Sequence, residues 1–143
     1  MKQIGALPLI LKANGEVEIC LITSRGGKRW IIPKGNPMRG VAAHDVAAIE
    51  AREEAGVVGV AHARSIGMFT LRGRKKKRKV VVYPLIVDRQ LLVWDEVHER
   101  KWQRCNLKTA CRLVGSRSLA VLLRGLQKGS LGDIRRFATA QET

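Results

Sequence analysis

Three carboxylates crowd one short stretch of this chain. Glu50, Glu53 and Glu54 stand three and four residues apart, a spacing that brings their side chains to one face of a helix. Like charges at this spacing repel one another, and acids near a helix C-terminus also oppose the helix dipole. A hard divalent cation held by carboxylate oxygens would offset that cost. The spacing therefore predicts a metal site on this helix.

Basic side chains precede the acids. The 143-residue chain has a formal net charge of +15, which is typical of proteins with anionic partners such as phosphates, polyphosphates, nucleic acid or an acidic membrane surface. Arg25, Arg29 and Lys34 are candidates to bind phosphate oxygens, since arginine can make bidentate contacts and Lys34 adjoins Gly35. For Arg25 and Arg29, an ordinary surface charge is an equally good interpretation.

A second basic feature is the run at residues 72–79, RGRKKKRK, in which every residue but Gly73 is basic. Strand-like sequence on both sides predicts that this run is the tip of a hairpin. Because so much like charge is destabilising without a nearby anion, Lys76 and Lys77 are predicted to bind substrate. The ligand could be the far end of a polyphosphate, an inositol polyphosphate ring or RNA, and a merely solvated turn is the remaining alternative.

The elements that position these residues follow from the hydrophobic pattern. Residues 3–12 and 16–23 predict two strands of a hairpin, because Asn14-Gly15 between them is a strong turn signal. A turn at 25–28 and a short strand at 29–32 lead into a predicted loop at 34–40. Residues 41–55 are rich in alanine and are followed by Gly56, which predicts a helix with the acids in its last turns.

The second half of the chain returns to strand-like sequence. Residues 57–71 predict strand with bends or bulges at Gly59 and Gly67, and residues 80–88 predict a strand in which Pro84 indicates an edge position or a bulge. Polar residues 95–104 predict a loop. Apolar residues at helical spacing over 106–114 and 118–126 predict two helices, or one kinked helix broken near Gly115.

The order of these elements predicts an α+β fold, a sandwich built on a mixed β-sheet, rather than alternating βαβ units. We expect one domain over residues 1–128 and a C-terminal helix or tail over residues 129–143. Cys20, Cys105 and Cys111 lack CxxC spacing and predict reduced core cysteines. No stretch approaches the ~20 apolar residues of a membrane span, so we expect a cytoplasmic protein without a membrane partner.

The stretch at residues 35–57 resembles the Nudix box, whose pattern runs glycine, five residues, glutamate, seven residues, Arg-Glu, an aliphatic, any residue, Glu-Glu, any residue, glycine and an aliphatic. Val41 and Ile49 stand where the family has its first glutamate and its arginine, so the box is degenerate. The positions that match in register are Gly35, Glu50, Ala51, Glu53, Glu54, Gly56 and Val57.

The resemblance extends beyond the box. Residues 29–35, RWIIPKG, and residues 99–102, ERKW, with the helix after them, are similar to the branch that includes diphosphoinositol polyphosphate phosphohydrolases. The resemblance implies a Nudix-type α/β/α sandwich that uses Mg²⁺ or Mn²⁺ to hydrolyse a phosphoanhydride bond. The implied substrate is highly anionic, such as a diphosphoinositol polyphosphate or a dinucleoside polyphosphate.

Site residues also follow from the resemblance. It implies that Glu50, Glu53 and Glu54 are catalytic and that Glu50, Glu54 and the carbonyl of Gly35 are metal ligands. Glu96 or Glu99 could add a downstream acid, although solvated loop residues are the better interpretation. The missing box residues and the positive charge also support an alternative function, a non-hydrolytic or weakly active Nudix-fold binder of nucleotide or RNA.

Overall fold

A single mixed sheet forms the centre of the computed structural model, which describes residues 2–73, 75–126 and 131–142. In these residues the sheet has eight strands, in the order β3-β2-β1-β7-β5, with β4, β6 and β8 attached to β1, β7 and β2. The strands are β1 (Gln3–Leu11), β2 (Val17–Thr23), β3 (Trp30–Ile31), β4 (Lys34–Gly35), β5 (Val57–Ala61), β6 (Gly67–Arg72), β7 (Lys77–Gln90) and β8 (Trp102–Asn106), and the helices are α1 (Ala43–Ala55), α2 (Leu107–Leu113), α3 (Arg117–Gly125) and α4 (Leu131–Glu142).

The N-terminal hairpin and the alanine-rich helix are confirmed. Strands β1 and β2 pair antiparallel across a turn in which Gly15 has a φ of 86°. Helix α1 ends at Gly56, which has a φ of 67° and donates its N–H to the carbonyls of Ala51 and Arg52. Because this left-handed conformation suits glycine far better than other residues, the glycine fixes where the acidic end of α1 stops.

Helices cover both faces of the sheet, which confirms the predicted sandwich. Alternate residues of β1 point to opposite faces, as the pleat requires: Ile4 and Ala6 join one core, whereas Leu7 and Leu9 join the other. The first core is closed by α1 through Val46, Ala47, Ala51 and Ala55. The second is closed by residues of α2, α3 and α4, namely Leu107, Ala110, Cys111, Leu119, Ala120, Leu123 and Ile134.

The two predicted helices after the sheet are also confirmed. The Asn106 side chain accepts a hydrogen bond from the N–H of Thr109 at 2.8 Å and begins α2. Ser116 accepts from the N–H of Leu119 at 3.2 Å and begins α3, so the break lies at Gly115 as expected. The predicted domain boundary at residue 128 lies outside the described residues, and the division into 1–128 and 129–143 stays a prediction.

The edge position predicted from Pro84 is wrong, because β7 lies inside the sheet with β1 on one side and β5 and β6 on the other. The carbonyl of Pro84 accepts from the N–H of His62 at 2.8 Å, beyond the end of β5. A strand residue directs its N and its C=O to the same side. The missing N–H of Pro84 therefore faces the interval between β5 and β6, where the ladder is interrupted.

Two predicted loops contain short strands. Lys34 and Gly35 form β4 and pair with Gly5 and Ile4 of β1, and part of the polar segment 95–104 lies in β8, which pairs with β2. The predicted bulge at Gly59 is present as a register shift between β5 and β7. The basic run straddles the β6–β7 hairpin, where Arg72 pairs with Lys77, as predicted, although Arg74 lies outside the described residues.

The prediction of reduced cysteines in the core is confirmed, because Cys20, Cys105 and Cys111 are free and buried. Burial raises the pKa of all three thiols, that of Cys20 to about 12, so they pack as neutral apolar groups. Among the described helices, none combines the length and the apolar character that a membrane span requires.

Candidate active site

The acidic end of α1 is packed against the sheet. Its alanines at positions 47, 51 and 55 are fully buried, and their small side chains let the helix lie close to the strands. Glu50 and Glu54 occupy the same packed side of the helix and are only 9% and 7% exposed. Because a charged carboxylate rarely stays this buried without a partner, the two acids form an unusual pair, called the acid pair below.

Burial and mutual repulsion disturb the titration of the acid pair. Burial, followed by the neighbouring Glu54 charge, raises the pKa of Glu50 to about 7. Burial also raises the pKa of Glu54, although Arg100 and the N–H of Lys34 oppose that shift. The doubly ionised form of the acid pair is therefore unfavourable without a cation.

Two groups outside the helix approach Glu54. The backbone N–H of Lys34 donates to Glu54 Oε1 at 3.1 Å, and Arg100 Nη2 lies 3.8 Å from Glu54 Oε2. The Arg100 side chain, 8% exposed, also donates through Nε to Glu96 Oε1 at 2.9 Å and through Nη1 to the Thr23 carbonyl at 3.0 Å. Arg100 is therefore fixed by strand β2 and by Glu96 before it reaches the acid pair.

The other predicted acids are placed differently. Glu53 lines a separate cavity with Ile49 and Trp94, so α1 does not direct all three carboxylates into one cluster. Glu96, interpreted from sequence as a solvated loop residue, is only 15% exposed in its side chain and raises the pKa of both members of the acid pair. Glu99 is exposed. Val41, at the box glutamate position, is 38% exposed.

Glu54 of the acid pair lines a basic cavity of about 340 Å³, called the first cavity below. Glu54 is the acidic residue among its described lining residues. Burial lowers the pKa of Lys34, against the opposing charge of Glu54, and the charges of Arg78 and Arg100 lower it further. The basic residues that line the first cavity are Arg25, Arg29, Lys34, Arg72, Arg78 and Arg100.

The structure thus brings three of the predicted phosphate-binding residues, Arg25, Arg29 and Lys34, to the same cavity as Glu54. Lys77 lines a neighbouring cavity, and Lys76 is exposed and lines neither of the two. Sequence reasoning missed Arg78 and Arg100. Their positions in a basic run and in a polar segment carried no signal that they face the acids, because those contacts join residues far apart in the chain.

The donor chemistry of the acid pair fits a hard divalent cation. Two carboxyl groups supply oxygen ligands, which Mg²⁺ prefers. Their pKa values are raised even though Arg100 lies beside Glu54, so a further positive charge would stabilise the ionised acids. A side-chain carbon at Gly35 would overlap the Glu50 carboxylate, so only glycine leaves this space free beside the acids. Among the described residues, no group of three or more His, Cys, Asp and Glu side chains is placed to hold a metal ion.

This contact gives the first prediction. Replacing Gly35 with Ala will push the Glu50 carboxylate aside, and we expect Mg²⁺ affinity to fall by at least about tenfold. The free energy of unfolding will change by less than about 1 kcal/mol, because the group that must move is the end of a flexible side chain. Titration calorimetry and thermal unfolding measure the two effects, with Gly125→Ala as control, since its added carbon meets open space. Wild-type Mg²⁺ affinity in Gly35→Ala would contradict the placement of the site.

Comparison with known proteins identifies relatives of the chain. It is 32% identical over 105 residues to Nudix hydrolase 17, mitochondrial, of Arabidopsis thaliana, covering 71% of this chain and 58% of that protein. It is 29% identical over 120 residues to Nudix hydrolase 18, mitochondrial, of the same plant, covering 76% and 68%. The chain thus spans little more than half of the first relative's length. No profile of a known protein family matches the chain.

The fold has similar solved structures. The Ap4A hydrolase of C. elegans superimposes with a TM-score of 0.71 over 88% of this chain and 95% of its own, at 22% sequence identity. At that identity the likeness establishes the shared fold. The chain is thus similar in sequence to these two plant Nudix hydrolases and shares the fold of the C. elegans Ap4A hydrolase.

Proposed function

We propose that the chain is a metal-dependent hydrolase that cleaves a phosphoanhydride bond in a highly anionic substrate. The observation that carries this proposal is the buried acid pair, Glu50 and Glu54, of which Glu54 lines a cavity together with six basic side chains. A phosphoanhydride needs both features at one place, because a cation must be held by acids while the phosphate oxygens are held by bases.

The residues of the chain divide this work. Glu50 and Glu54 would hold the cation, with the Gly35 carbonyl as a further ligand and Glu53 as a more distant acid. When bound, Mg²⁺ or Mn²⁺ supplies positive charge to the anhydride oxygens and activates water. One of the acids accepts a proton from the attacking water. Lys34, Arg25 and Arg29, which line the first cavity together with Glu54, bind phosphate oxygens.

Arg100 completes the arrangement. It reaches Glu54 from the segment before β8, although Ile49 stands where the box has its arginine. Since Arg100 is itself held by Glu96 and by the Thr23 carbonyl, it keeps the Glu54 carboxylate in one orientation. The degenerate box therefore retains a guanidinium beside its metal-binding acid.

The substrate class follows from the charge of the cavity. Six cations around one cavity exceed what a single pyrophosphate needs, so the proposal favours a substrate with several phosphates. A dinucleoside polyphosphate is supported by the fold shared with the C. elegans Ap4A hydrolase. A diphosphoinositol polyphosphate is supported by the sequence resemblance of residues 29–35.

A second candidate function is a weakly active or non-hydrolytic binder of nucleotide or RNA. It is favoured by Val41 and Ile49, which replace the box glutamate and arginine, and by the basic run 72–79, in which the described residues are exposed. In this function the cations of the first cavity would bind phosphates, and the acid pair would have no role in bond cleavage.

A substrate panel separates the two functions. Purified protein with Mg²⁺ or Mn²⁺ is offered a dinucleoside polyphosphate, a diphosphoinositol polyphosphate and a nucleoside diphosphate sugar, and released phosphate products are measured. We expect hydrolysis of at least one member of the panel, fastest where the phosphates are most numerous. If none is hydrolysed and the protein instead binds RNA with a steep salt dependence, the binding function is correct.

A further inference from the structure

A second basic cavity lies beside the first, between the β6–β7 hairpin and the start of α3. It has a volume of about 660 Å³ and is called the second cavity below. Four of its lining side chains are basic, Arg29, Arg72, Lys77 and Arg117. Among the described residues that line it, none is acidic. With no acid to balance these cations, an anion would lower the electrostatic energy of the second cavity.

The two cavities are adjacent, because Arg29, Leu71 and Arg72 line both of them. The stem of Arg29 is held in this shared wall: a side-chain carbon at Gly115 would lie 3.0 Å from its Cγ and Cδ. Gly115 is itself fixed, since its N–H donates to the Trp30 carbonyl at 3.0 Å. A ligand with phosphates in the first cavity can therefore meet Arg29 and continue into the second.

Hydroxyl groups make the far wall of the second cavity rigid. The Oγ atoms of Ser116 and Ser118 lie 3.0 and 3.1 Å from the carbonyl oxygen of Thr70 in β6. The N–H of Thr70 also donates to Ser118 Oγ at 2.7 Å. These bonds tie the first turn of α3 to β6, and Arg117 stands between the two serines. Its position relative to Lys77 on the neighbouring strand is thus set by the fold.

We propose that the second cavity is a distal phosphate subsite, in which Lys77 and Arg117 bind phosphates of a substrate whose scissile anhydride lies at the acid pair. This inference rests on the proposed hydrolase function and specifies its substrate as an extended polyanion that spans both cavities. Arg29 and Arg72 contact its middle phosphates. A substrate with only two phosphates fills the first cavity and leaves the second unused.

The first arm of the test measures binding without turnover. Affinity for linear inorganic polyphosphate is measured by titration calorimetry in EDTA, for wild type and for Lys77→Gln/Arg117→Gln. Two exposed phosphate contacts are lost, so we expect affinity to fall about tenfold. The matched control is Lys108→Gln/Arg112→Gln, which removes the same charge from exposed positions on α2 and should change the affinity by less than about twofold.

The second arm measures hydrolysis. The Lys77→Gln/Arg117→Gln variant should raise KM for a dinucleoside tetraphosphate while leaving kcat/KM for a nucleoside diphosphate sugar unchanged. An equal loss of kcat/KM on the long and the short substrate would overturn the subsite. So would an equal loss of polyphosphate affinity in the Lys77→Gln/Arg117→Gln variant and in the control variant. Loss of RNA binding with unchanged polyphosphate affinity would overturn it too. If polyphosphate affinity falls as expected but nothing is hydrolysed, the anion-binding cavity stands and the hydrolase function fails.

Discussion

Replacing Glu54 with Gln will lower metal-dependent hydrolysis by about a thousandfold. Gln keeps the size of the side chain and can still accept the hydrogen bond from the N–H of Lys34, but it provides no anionic oxygen for a cation. The metal-free fold should lose little stability. Burial raises the pKa of Glu54, which means that the folded state disfavours its charged form relative to water, so a neutral side chain of the same size should cost little there. Hydrolysis rates and thermal unfolding of the same preparation measure both effects.

A matched control for this variant is Glu99→Gln, which makes the same chemical change at an exposed position. It should retain the wild-type rate. If Glu54→Gln also hydrolyses substrate at the wild-type rate, Glu54 is not part of the catalytic site. If Glu54→Gln instead loses both activity and stability together, its role is structural and the acid pair is not a cation site.

The largest effect on stability is expected at Gly59. A side-chain carbon there would overlap the backbone carbonyl of Ile86, and Ile86 pairs with Leu9 of β1 in the middle of the sheet. The clashing atom belongs to the backbone, so no side-chain rotation can relieve the overlap. The strand itself cannot easily move, because β7 is paired with β1 on one side and with β5 on the other. We expect Gly59→Ala to reduce the free energy of unfolding by about 3 kcal/mol, measured by urea denaturation.

The control for this prediction is again Gly125→Ala. The added carbon has open space at the end of α3, and alanine favours helix, so the change should be neutral or stabilising by up to about 1 kcal/mol. A Gly59→Ala variant as stable as the wild type would show that the bulge between β5 and β7 can shift its register. The close approach of Gly59 to β7 would then not be needed for the fold.

Local signals explain what could be predicted from the sequence. The N-terminal hairpin was predictable because Asn14-Gly15 separates two apolar runs, and α1 was predictable because an alanine-rich stretch without proline ends at Gly56. Both signals act between residues close in the chain, where turn and cap preferences dominate. The break between α2 and α3 had the same kind of signal, since Gly115 interrupts the helical spacing of apolar residues.

Features that depend on distant partners could not be predicted in this way. Pro84 indicates that one N–H is missing, but which strand faces that gap depends on the order of the whole sheet. Strand β8 has mostly exposed side chains, Trp102 among them at 42% exposure, so its sequence resembles a polar loop. It is a strand because β2 offers it hydrogen bonds.

The same limit applies to the candidate site. The acids could be identified because three of them occupy five residues, and Lys34 because it precedes a glycine. Arg100 and Arg78 could not, since each reaches the acid pair or its cavity from a different strand or loop. Glu53 was grouped with Glu50 and Glu54 by spacing alone, whereas in the folded chain its side chain lines another cavity.

Metal removal and restoration tests the central claim most directly. The protein is treated with EDTA, assayed for phosphate release from the best substrate of the panel, and assayed again after Mg²⁺ is added back. The proposed site predicts that hydrolysis stops in EDTA, returns with Mg²⁺ in the wild type, and does not return in Glu54→Gln. Hydrolysis that continues at the same rate in EDTA would show that the acid pair does not act through a bound cation.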